Sequence, residues 1–329
     1  MKVLITGGTG FVGAWTAKAV QDQGHDVRFL VRSVERLTAS AGSIGVDTDD
    51  HVLGDIADSA SAGTALEGCD AVIHCAAMVS TDPSRADEML HTNLEGARYV
   101  LGAAAARGLD PIVHVSSFTA LFRPDLKVLH ADLPVVGGND GYGRSKAVVE
   151  AYARGLQDGG APVDITYPGM VLGPPAGEQF GEAAEGVEAA LKMHGVPGRS
   201  AAWTVIDVRD LAALHAALLE PGKGARRYMA GGRRIPVDEL ASLIGAAADR
   251  SLAVFPVPDT ALRGVGALFD TIGSYLPFDT PINSAAMQYY TQMPRSDDVP
   301  GQRDLGVTQR DPAETLADTV DGLRRVGRI

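Results

Sequence analysis

A strand that ends in a glycine-rich turn constrains this chain more than any other feature. Residues 3–5 (V-L-I) are consecutive β-prone apolar residues, which predict a short buried strand close to the N-terminus. Residues 6–13 (T-G-G-T-G-F-V-G) follow at once and predict a tight turn into a helix that begins near Phe11. Strand, turn and helix form the opening of a dinucleotide-binding unit, in which backbone N–H groups and the positive helix end face a pyrophosphate.

Three glycines in this turn each have a structural role. Gly7 permits the tight turn, Gly10 lets phosphates approach the backbone, and Gly13 lets the helix lie close against the strand. Such turns also occur for purely structural reasons, so the interpretation depends on the rest of the chain. The predicted cofactor-binding residues of the turn are Thr6, Gly7, Thr9, Gly10, Phe11, Val12 and Gly13.

Composition excludes several classes of function. The chain has 329 residues, 45% of them apolar and 21% charged, which is typical of a globular protein with room for two domain-sized units. A net charge of −12 argues against nucleic acid or an anionic membrane surface as a partner. The two cysteines, Cys69 and Cys75, lack metal-ligand spacing, and no apolar run reaches the roughly 20 residues of a membrane span. We therefore expect a cytoplasmic protein with no metal site and no membrane span.

The end of the second predicted strand indicates which dinucleotide is bound. Residues 27–31 (V-R-F-L-V) end at Arg32, and the residue after this strand lies beside the adenosine ribose. An acidic side chain would accept hydrogen bonds from the 2′-hydroxyl, whereas an arginine pairs with a 2′-phosphate. Arg32 thus favours NADP(H) over NAD(H), and Arg36 could add a second charge. The alternative is a solvated basic turn.

Catalytic candidates follow the fifth predicted strand. Residues 112–117 end in two serines, Ser116 and Ser117, and Tyr142 and Lys146 come later in a predicted helix. Positions four apart share a helix face. A phenol has a pKa near 10, so acid–base work at neutral pH requires a shift of about 3 units, roughly 4 kcal/mol. An ammonium about 4 Å away supplies approximately this at an effective dielectric of 20, so Lys146 is expected to lower the pKa of Tyr142.

These motifs taken in order resemble one family. T-G-x-x-G-x-x-G at residues 6–13, N-x-x-G from Asn93, S-S-x-x-A at residues 116–120 and Y-x-x-x-K from Tyr142 are similar to the extended short-chain dehydrogenase/reductases, the NAD(P)-dependent epimerase/dehydratase superfamily. The chain looks most like dihydroflavonol 4-reductase-type carbonyl reductases. The resemblance implies that Ser117, Tyr142 and Lys146 are catalytic, with Lys146 also holding the nicotinamide ribose.

The resemblance also implies further cofactor-binding residues. Asp55 and Ile56 would lie at the adenine, Ala76 and Ala77 would leave space for the ribose and nicotinamide, Asn93 would support the sheet or a proton relay, and Pro168 and Val171 would flank the carboxamide. Asp55 could instead be a helix N-cap, and Asn93 a helix-surface amide. One departure is Tyr167, which stands where the family pattern R-P-x-x-V-x-G-P has arginine.

The predicted fold is α/β. We expect a Rossmann-type doubly wound parallel sheet of about seven strands with a smaller, mostly helical C-terminal substrate lobe. Residues 1–170 would form the NADP-binding domain, with about 203–232 returning to it. Residues 171–202 and 233–329 would form the substrate lobe, including an apolar and aromatic segment at 251–300.

The predicted function is an NADP(H)-dependent oxidoreductase that interconverts a ketone or aldehyde and an alcohol on a mainly apolar small molecule. Three alternatives stay open: an NAD-dependent nucleotide-sugar epimerase or dehydratase, a 3β-hydroxysteroid dehydrogenase, and a non-catalytic NADP(H) sensor. A homodimer formed through the helix of Tyr142 and the long helix before it is implied by the resemblance alone.

Overall fold

The computed structural model describes residues 1–80, 83–138, 140–272 and 283–329. In chain order the strands are β1 (Lys2–Thr6), β2 (Asp26–Val31), β3 (His51–Leu53), β4 (Ala71–His74), β5 (Ile112–Val115), β6 (Val128–Leu129), β7 (Val163–Pro168), β8 (Met170–Leu172), β9 (Gly195–Pro197), β10 (Ala202–Asp207), β11 (Arg227–Ala230), β12 (Arg233–Pro236), β13 (Ala253–Phe255) and β14 (Arg295–Ser296).

The α-helices are α1 (Phe11–Asp22), α2 (Val34–Ser40), α3 (Ser59–Ala65), α4 (Ala86–Ala97), α5 (Ala103–Ala106), α6 (Gly141–Asp158), α7 (Ala183–Lys192), α8 (Val208–Ala217), α9 (Val237–Ala247), α10 (Asp259–Ile272), α11 (Ser284–Gln292), α12 (Val299–Leu305) and α13 (Pro312–Arg325). Short 3₁₀ helices cover Ala41–Ile44, Pro83–Arg85 and Phe118–Ala120. None of the helices in the described ranges has the length and apolarity needed to cross a bilayer.

Seven strands form the central sheet, in the order β11–β7–β5–β4–β1–β2–β3. All its pairings are parallel. The chain runs outward from β1 to β3 and then returns to place β4 on the other side of β1, so the strand order reverses between β1 and β4. Open α/β sheets bind ligands at the carboxyl ends of strands at such a switch point. The predicted doubly wound parallel sheet is confirmed.

Three strands of the central sheet end earlier than the apolar pattern predicts. The patterns at residues 51–56, 71–77 and 112–117 continue past the observed ends at Leu53, His74 and Val115. The residues beyond these ends leave the sheet at its carboxyl edge. They carry several of the predicted site residues, including Asp55, Ala76 and Ser117.

Helices cover both faces of the sheet. On one face α4 packs against α6, above a buried cluster that includes Val72, Ile112 and Val149. On the other face α1 packs against α8, above a cluster that includes Ile5 and Ile73. Strands buried on both faces explain the continuous apolar runs in the sequence.

A smaller sheet starts the C-terminal lobe. β10 pairs antiparallel with β12 and parallel with β8, whereas β11 joins β7 at the edge of the central sheet. Of the segment 203–232, then, only β11 extends the central sheet. A third buried cluster lies around the small sheet and includes Leu172, Leu240 and Leu316, so residues from 171–202 and 233–329 share a core. Residues 273–282 of the apolar segment 251–300 lie outside the described residues.

The long helix before α6 is interrupted. α4 ends at Ala97, a π-helical segment covers Arg98–Gly102, and α5 completes the element. A Cβ at Gly102 would lie 2.3 Å from the Tyr152 hydroxyl oxygen on α6. The interruption therefore includes a close contact with Tyr152 of α6.

Candidate active site

The glycine turn between β1 and α1 requires its glycines. Gly7 has φ +80°, and a Cβ there would lie 2.8 Å from the backbone nitrogen of Ala76 on the neighbouring strand end. A Cβ at Gly13 would lie 2.2 Å from the carbonyl oxygen of Gly7. Gly10 is the N-cap of α1 and provides no side-chain hydrogen bond to the helix. The first N–H groups of α1 are therefore available to an anion, and the turn fits the pyrophosphate of a dinucleotide.

One predicted contact of this turn is corrected. Thr6 is fully buried. Its hydroxyl lies 2.8 Å from Nδ1 of His74 and accepts a hydrogen bond from the backbone nitrogen of Ala76. Because no part of Thr6 reaches the surface, its contribution is to hold the end of β4 against β1. Thr9, Gly10, Val12 and Ala77 are partly exposed at the same edge.

Arg32 and Asp55 lie close together at the adenosine end. Arg32 follows β2, is 76% exposed, and its Nη1 lies 3.7 Å from Oδ2 of Asp55. The N-cap of α3 is Asp58, whose carboxylate accepts from the backbone of Ala60 and Ser61, so the N-cap alternative for Asp55 was wrong. In the same region Arg36 is exposed and Ile56 is half-buried.

Asn93 is a buried structural link between the strand ends and α6. Only 4% of it is exposed. Its Oδ1 accepts from the backbone nitrogen of Met78 at 2.7 Å, and its Nδ2 donates to the Met78 carbonyl and to the Ser145 hydroxyl, both at 2.9 Å. The alternative of a helix-surface amide was therefore wrong. Asn93 fixes the chain after Ala76 and Ala77 against the helix that carries Tyr142.

Ser117, Tyr142 and Lys146 meet at the carboxyl end of β5. The Ser117 oxygen accepts from the backbone nitrogen and hydroxyl of Thr119, at 3.3 and 3.0 Å. Its own O–H is thereby left to donate. Lys146 Nζ lies 5.9 Å from the Tyr142 ring centroid and donates to the Val115 carbonyl at 3.3 Å.

The acid–base behaviour of these groups differs from the expectation. Burial raises the pKa of Tyr142 above its usual range, with the negative charge of Glu182 adding to the effect and the Ser117 hydrogen bond opposing it. Burial lowers the pKa of Lys146 to about 8. The prediction that Lys146 lowers the pKa of Tyr142 was wrong in this structure, because desolvation of the phenol dominates.

Pro168 and Val171 lie on the other side of the site. Pro168 is buried at the end of β7, next to β11, and Val171 is half-buried in β8. A Cβ at Gly181 would lie 2.5 Å from the Val171 carbonyl oxygen and 3.1 Å from the ring of Phe11. The segment before α7 therefore closes against both the glycine turn and β8. Across the described ranges, no group of three or more His, Cys, Asp or Glu side chains could hold a metal ion.

Comparison with known proteins identifies the family of the chain. Residues 3–231 match the NAD dependent epimerase/dehydratase family. The chain belongs to this family. The chain therefore has the fold of a nicotinamide-dependent enzyme of the extended short-chain dehydrogenase/reductase type, and the resemblance given by the motifs is confirmed.

Relatives of the epimerase/dehydratase family include reductases. The chain is 27% identical over 339 residues to sterol demethylase protein B of Methylococcus capsulatus, covering 100% of both chains. It is 26% identical to a putative dihydroflavonol 4-reductase of Synechocystis, covering 99% of this chain and 95% of that one. A UDP-glucose-4-epimerase from Stenotrophomonas maltophila, solved with bound NAD, has the same fold, with a TM-score of 0.79 at 21% identity over 100% of this chain and 99% of that one.

Tyr167, which stands where the family pattern has arginine, contacts an arginine of α6. Tyr167 is fully buried, and its hydroxyl donates to Oε1 of Glu150 at 2.5 Å. Arg154, one turn beyond Glu150 on α6, donates to the same carboxylate oxygen at 2.7 Å and to the Tyr167 hydroxyl at 2.8 Å. The Arg154 guanidinium also donates to the carbonyls of Ala131 and Leu133.

Two residues of the site were missed by sequence reasoning. Glu182 influences both Tyr142 and Lys146 electrostatically, yet its only sequence signal was its place in a segment expected to cover the substrate. Arg154 had a weak signal, since it follows Glu150 at the i,i+4 spacing of a helical ion pair.

Proposed function

We propose that this chain is an NADP(H)-dependent carbonyl reductase that interconverts a ketone or aldehyde and an alcohol on a mainly apolar small molecule. The observation that carries the proposal is the position of Lys146, whose Nζ lies 5.9 Å from the Tyr142 ring centroid and donates to the Val115 carbonyl, two residues before Ser117, at the sheet edge that also carries the glycine turn. Hydroxyl donors from Tyr142 and Ser117 at this edge suit a carbonyl oxygen on which negative charge develops.

The protonation states support reduction at neutral pH. NADP(H), when bound, supplies the hydride for the carbonyl carbon. Tyr142 is protonated at neutral pH because its pKa is raised, so it donates a proton to the carbonyl oxygen while Ser117 donates a hydrogen bond to the same atom. Lys146, with a pKa of about 8, lies close enough to return a proton to the phenolate and to hold the nicotinamide ribose.

Arg32 supports NADP(H) as the cofactor. Its guanidinium is 76% exposed where a 2′-phosphate would lie, and the nearby Asp55 carboxylate is 3.7 Å away. The weak pairing leaves the guanidinium N–H groups largely free to bind a phosphate. Arg36 supplies a second exposed charge one turn into α2.

The substrate proposal rests on the relatives and on the lobe. Besides the sterol and dihydroflavonol proteins, the chain is 29% identical over 75% of its length to a 2-alkyl-3-oxoalkanoate reductase of Stenotrophomonas maltophilia. These names denote polycyclic or alkyl compounds, and a 3β-hydroxysteroid substrate falls within the same class. Aromatic rings of Phe118, which directly follows Ser117, Phe122 and Tyr289 pack against one another, and they would make the surroundings of the site apolar.

A cofactor and substrate screen tests the proposal. NADPH or NADH consumption is measured with aryl ketones, 3-ketosteroids, 2-alkyl-3-oxoalkanoates and UDP-sugars, and NADPH binding is followed by fluorescence. We expect NADPH-dependent reduction of at least one apolar carbonyl compound. Interconversion of UDP-sugars with tightly held NAD would favour the epimerase alternative, and tight NADPH binding without turnover on any substrate would favour the sensor.

Assembly and location are part of the same proposal. Val148 is 39% exposed on the outer face of α6, and a Cβ at Gly155 on that helix would meet nothing within 4 Å. A small, apolar outer face supports a homodimer formed through α4 and α6, which sedimentation would test. Cys69 and Cys75 are both free, which suits the reducing cytoplasm.

A further inference from the structure

A carboxylate at the start of the catalytic helix is shared between two elements. Asp140 is the N-cap of α6, and its Oδ1 accepts from the backbone nitrogen of Gly143 at 2.8 Å. Its Oδ2 accepts from the hydroxyl of Tyr289 at 2.8 Å. Tyr289 belongs to α11 in the C-terminal lobe, so a lobe side chain is bonded to the first turn of the helix that carries Tyr142.

The same tyrosine ring contacts the segment that carries Ser117. The ring of Tyr289 lies edge-on to Phe118, with centroids 5.5 Å apart and planes at 76°. It lies edge-on to Phe122 as well, at 4.8 Å and 81°. Phe118 directly follows Ser117 and is buried with it. Ring and hydroxyl of Tyr289 therefore contact the two segments that place the two hydroxyl donors of the site.

We propose that Tyr289 is a positioning residue for the reaction, which fixes the first turn of α6 and the Ser117 segment relative to each other through Asp140 and Phe118. The inference rests on the proposed function, since it assigns Tyr289 to the geometry of that reaction. Tyr289 touches neither Lys146 nor the glycine turn in the described contacts. Its effect is therefore on the catalytic hydroxyls rather than on the nucleotide site.

The next residue on α11 provides a matched control. The Tyr290 hydroxyl donates to the Pro197 carbonyl at 2.6 Å, within the lobe and away from α6. Tyr289→Phe and Tyr290→Phe each remove one buried hydroxyl from the same helix and keep the ring. Comparable losses in melting temperature are expected for both, whereas only the first substitution releases Asp140.

Hydrogen–deuterium exchange tests the positioning without any need for turnover. In Tyr289→Phe we expect amides in peptides covering residues 140–147 to exchange roughly tenfold faster than in the wild type, as for the loss of a hydrogen bond to a charged group. Tyr290→Phe should leave these peptides unchanged. Equal exchange in the two variants, or no change in Tyr289→Phe, would overturn the proposal.

Steady-state kinetics then tests whether the position of these segments affects the reaction rate. With a carbonyl substrate and NADPH, Tyr289→Phe should lower kcat roughly tenfold and leave the KM for NADPH unchanged, while Tyr290→Phe keeps the wild-type kcat. A wild-type kcat in Tyr289→Phe would overturn the catalytic part of the proposal even if exchange had changed. Failure of the wild-type enzyme to reduce any carbonyl compound would instead count against the proposed function, and the exchange result would still decide the role of Tyr289.

Discussion

Two helices begin at the carboxyl edge of the central sheet, and their N-termini are built in opposite ways. α1 starts after Gly10, which supplies no side-chain hydrogen bond, whereas α6 starts after Asp140, whose carboxylate accepts from Gly143. The open end of α1 presents free N–H groups and a positive dipole to a ligand. At the capped end of α6 the Asp140 carboxylate takes the place of an anion and accepts from the backbone nitrogen of Gly143, which fixes the turn that carries Tyr142.

Under the proposed function, this difference would separate nucleotide binding at α1 from catalysis at α6. Gly10 at the start of α1 leaves space for a ligand. Asp140 at the start of α6 fixes the first turn of that helix. If this division is correct, changes at α6 alter turnover with little effect on nucleotide affinity, and changes at α1 do the reverse.

Tyr142→Phe is the most severe test at the capped helix. It removes the proton donor and keeps the ring, so we expect kcat for carbonyl reduction to fall by roughly 10²–10⁴-fold. NADPH affinity, measured by fluorescence titration, should stay near that of the wild type. Reduction at close to the wild-type rate would refute the catalytic assignment.

Gly13→Ala tests the open helix. The added Cβ would lie 2.2 Å from the Gly7 carbonyl oxygen, so α1 must move away from the turn. We expect the free energy of unfolding to drop by about 3 kcal/mol or more, and NADPH binding to be lost. Gly264→Ala in α10 is the control, since a Cβ there meets nothing within 4 Å, and urea unfolding should show a change within about 1 kcal/mol. Retained NADPH affinity in Gly13→Ala would contradict the close-approach argument.

Lys146→Met tests the buried ammonium through the pH dependence of stability. The folded pKa of Lys146 is about 8, below its ordinary value of 10.5. Between these values the unfolded chain binds the proton and the folded chain does not, so Lys146 makes stability rise with pH across this window. The wild type should gain up to about 3 kcal/mol relative to Lys146→Met from pH 8 to 10.5. Urea unfolding at several pH values measures it, and parallel curves for the two proteins would exclude a lowered pKa.

Arg32→Ala sharpens the binding side of the comparison. Loss of a charge-assisted bond to a 2′-phosphate should weaken NADPH binding roughly 10–100-fold, with NADH affinity little changed. The ratio of the two dissociation constants serves as an internal control within each protein. An unchanged ratio would show that Arg32 is a solvated basic turn residue.

Asp140→Ala has the smallest expected effect on stability. Removing an N-cap costs about 1 kcal/mol, and the same is expected for Asp311→Ala, which uncaps α13. Chemical denaturation measures both losses. Only Asp140→Ala should also lower turnover, because α13 carries no catalytic side chain; equal turnover in the two variants would remove the special role of the α6 cap.

Local sequence was sufficient for much of the fold, whereas the assignment of the nucleotide site stays a prediction. The strand before Gly7, the helix start at Phe11 and the parallel arrangement follow from apolar runs and glycine spacing, which depend on near neighbours in the chain. The sequence left two roles open for Asn93 and two for Asp55, because an amide or a carboxylate in a helix or turn has several local explanations. Their long-range contacts, with Met78 and with Arg32, decided between these explanations.

The catalytic chemistry depended more on tertiary packing. The sequence placed Tyr142 and Lys146 one helical turn apart, but the sign of the Tyr142 pKa shift depends on burial and on Glu182, 40 residues further on. Likewise no local pattern shows that Arg154 donates a hydrogen bond to Tyr167, because their distance in space is set by how α6 packs on β7.

The sequence by itself determined the family, the doubly wound sheet and the glycine turn, because each depends on backbone geometry that a few adjacent residues dictate. Only the tertiary structure decided the partners of Asn93, the pairing of β10 with β8 and β12, and the contact of Tyr289 with Asp140. These join residues that are distant in the chain, and their energies depend on burial and charge that exist only once the sheet, the helices and the lobe have packed together.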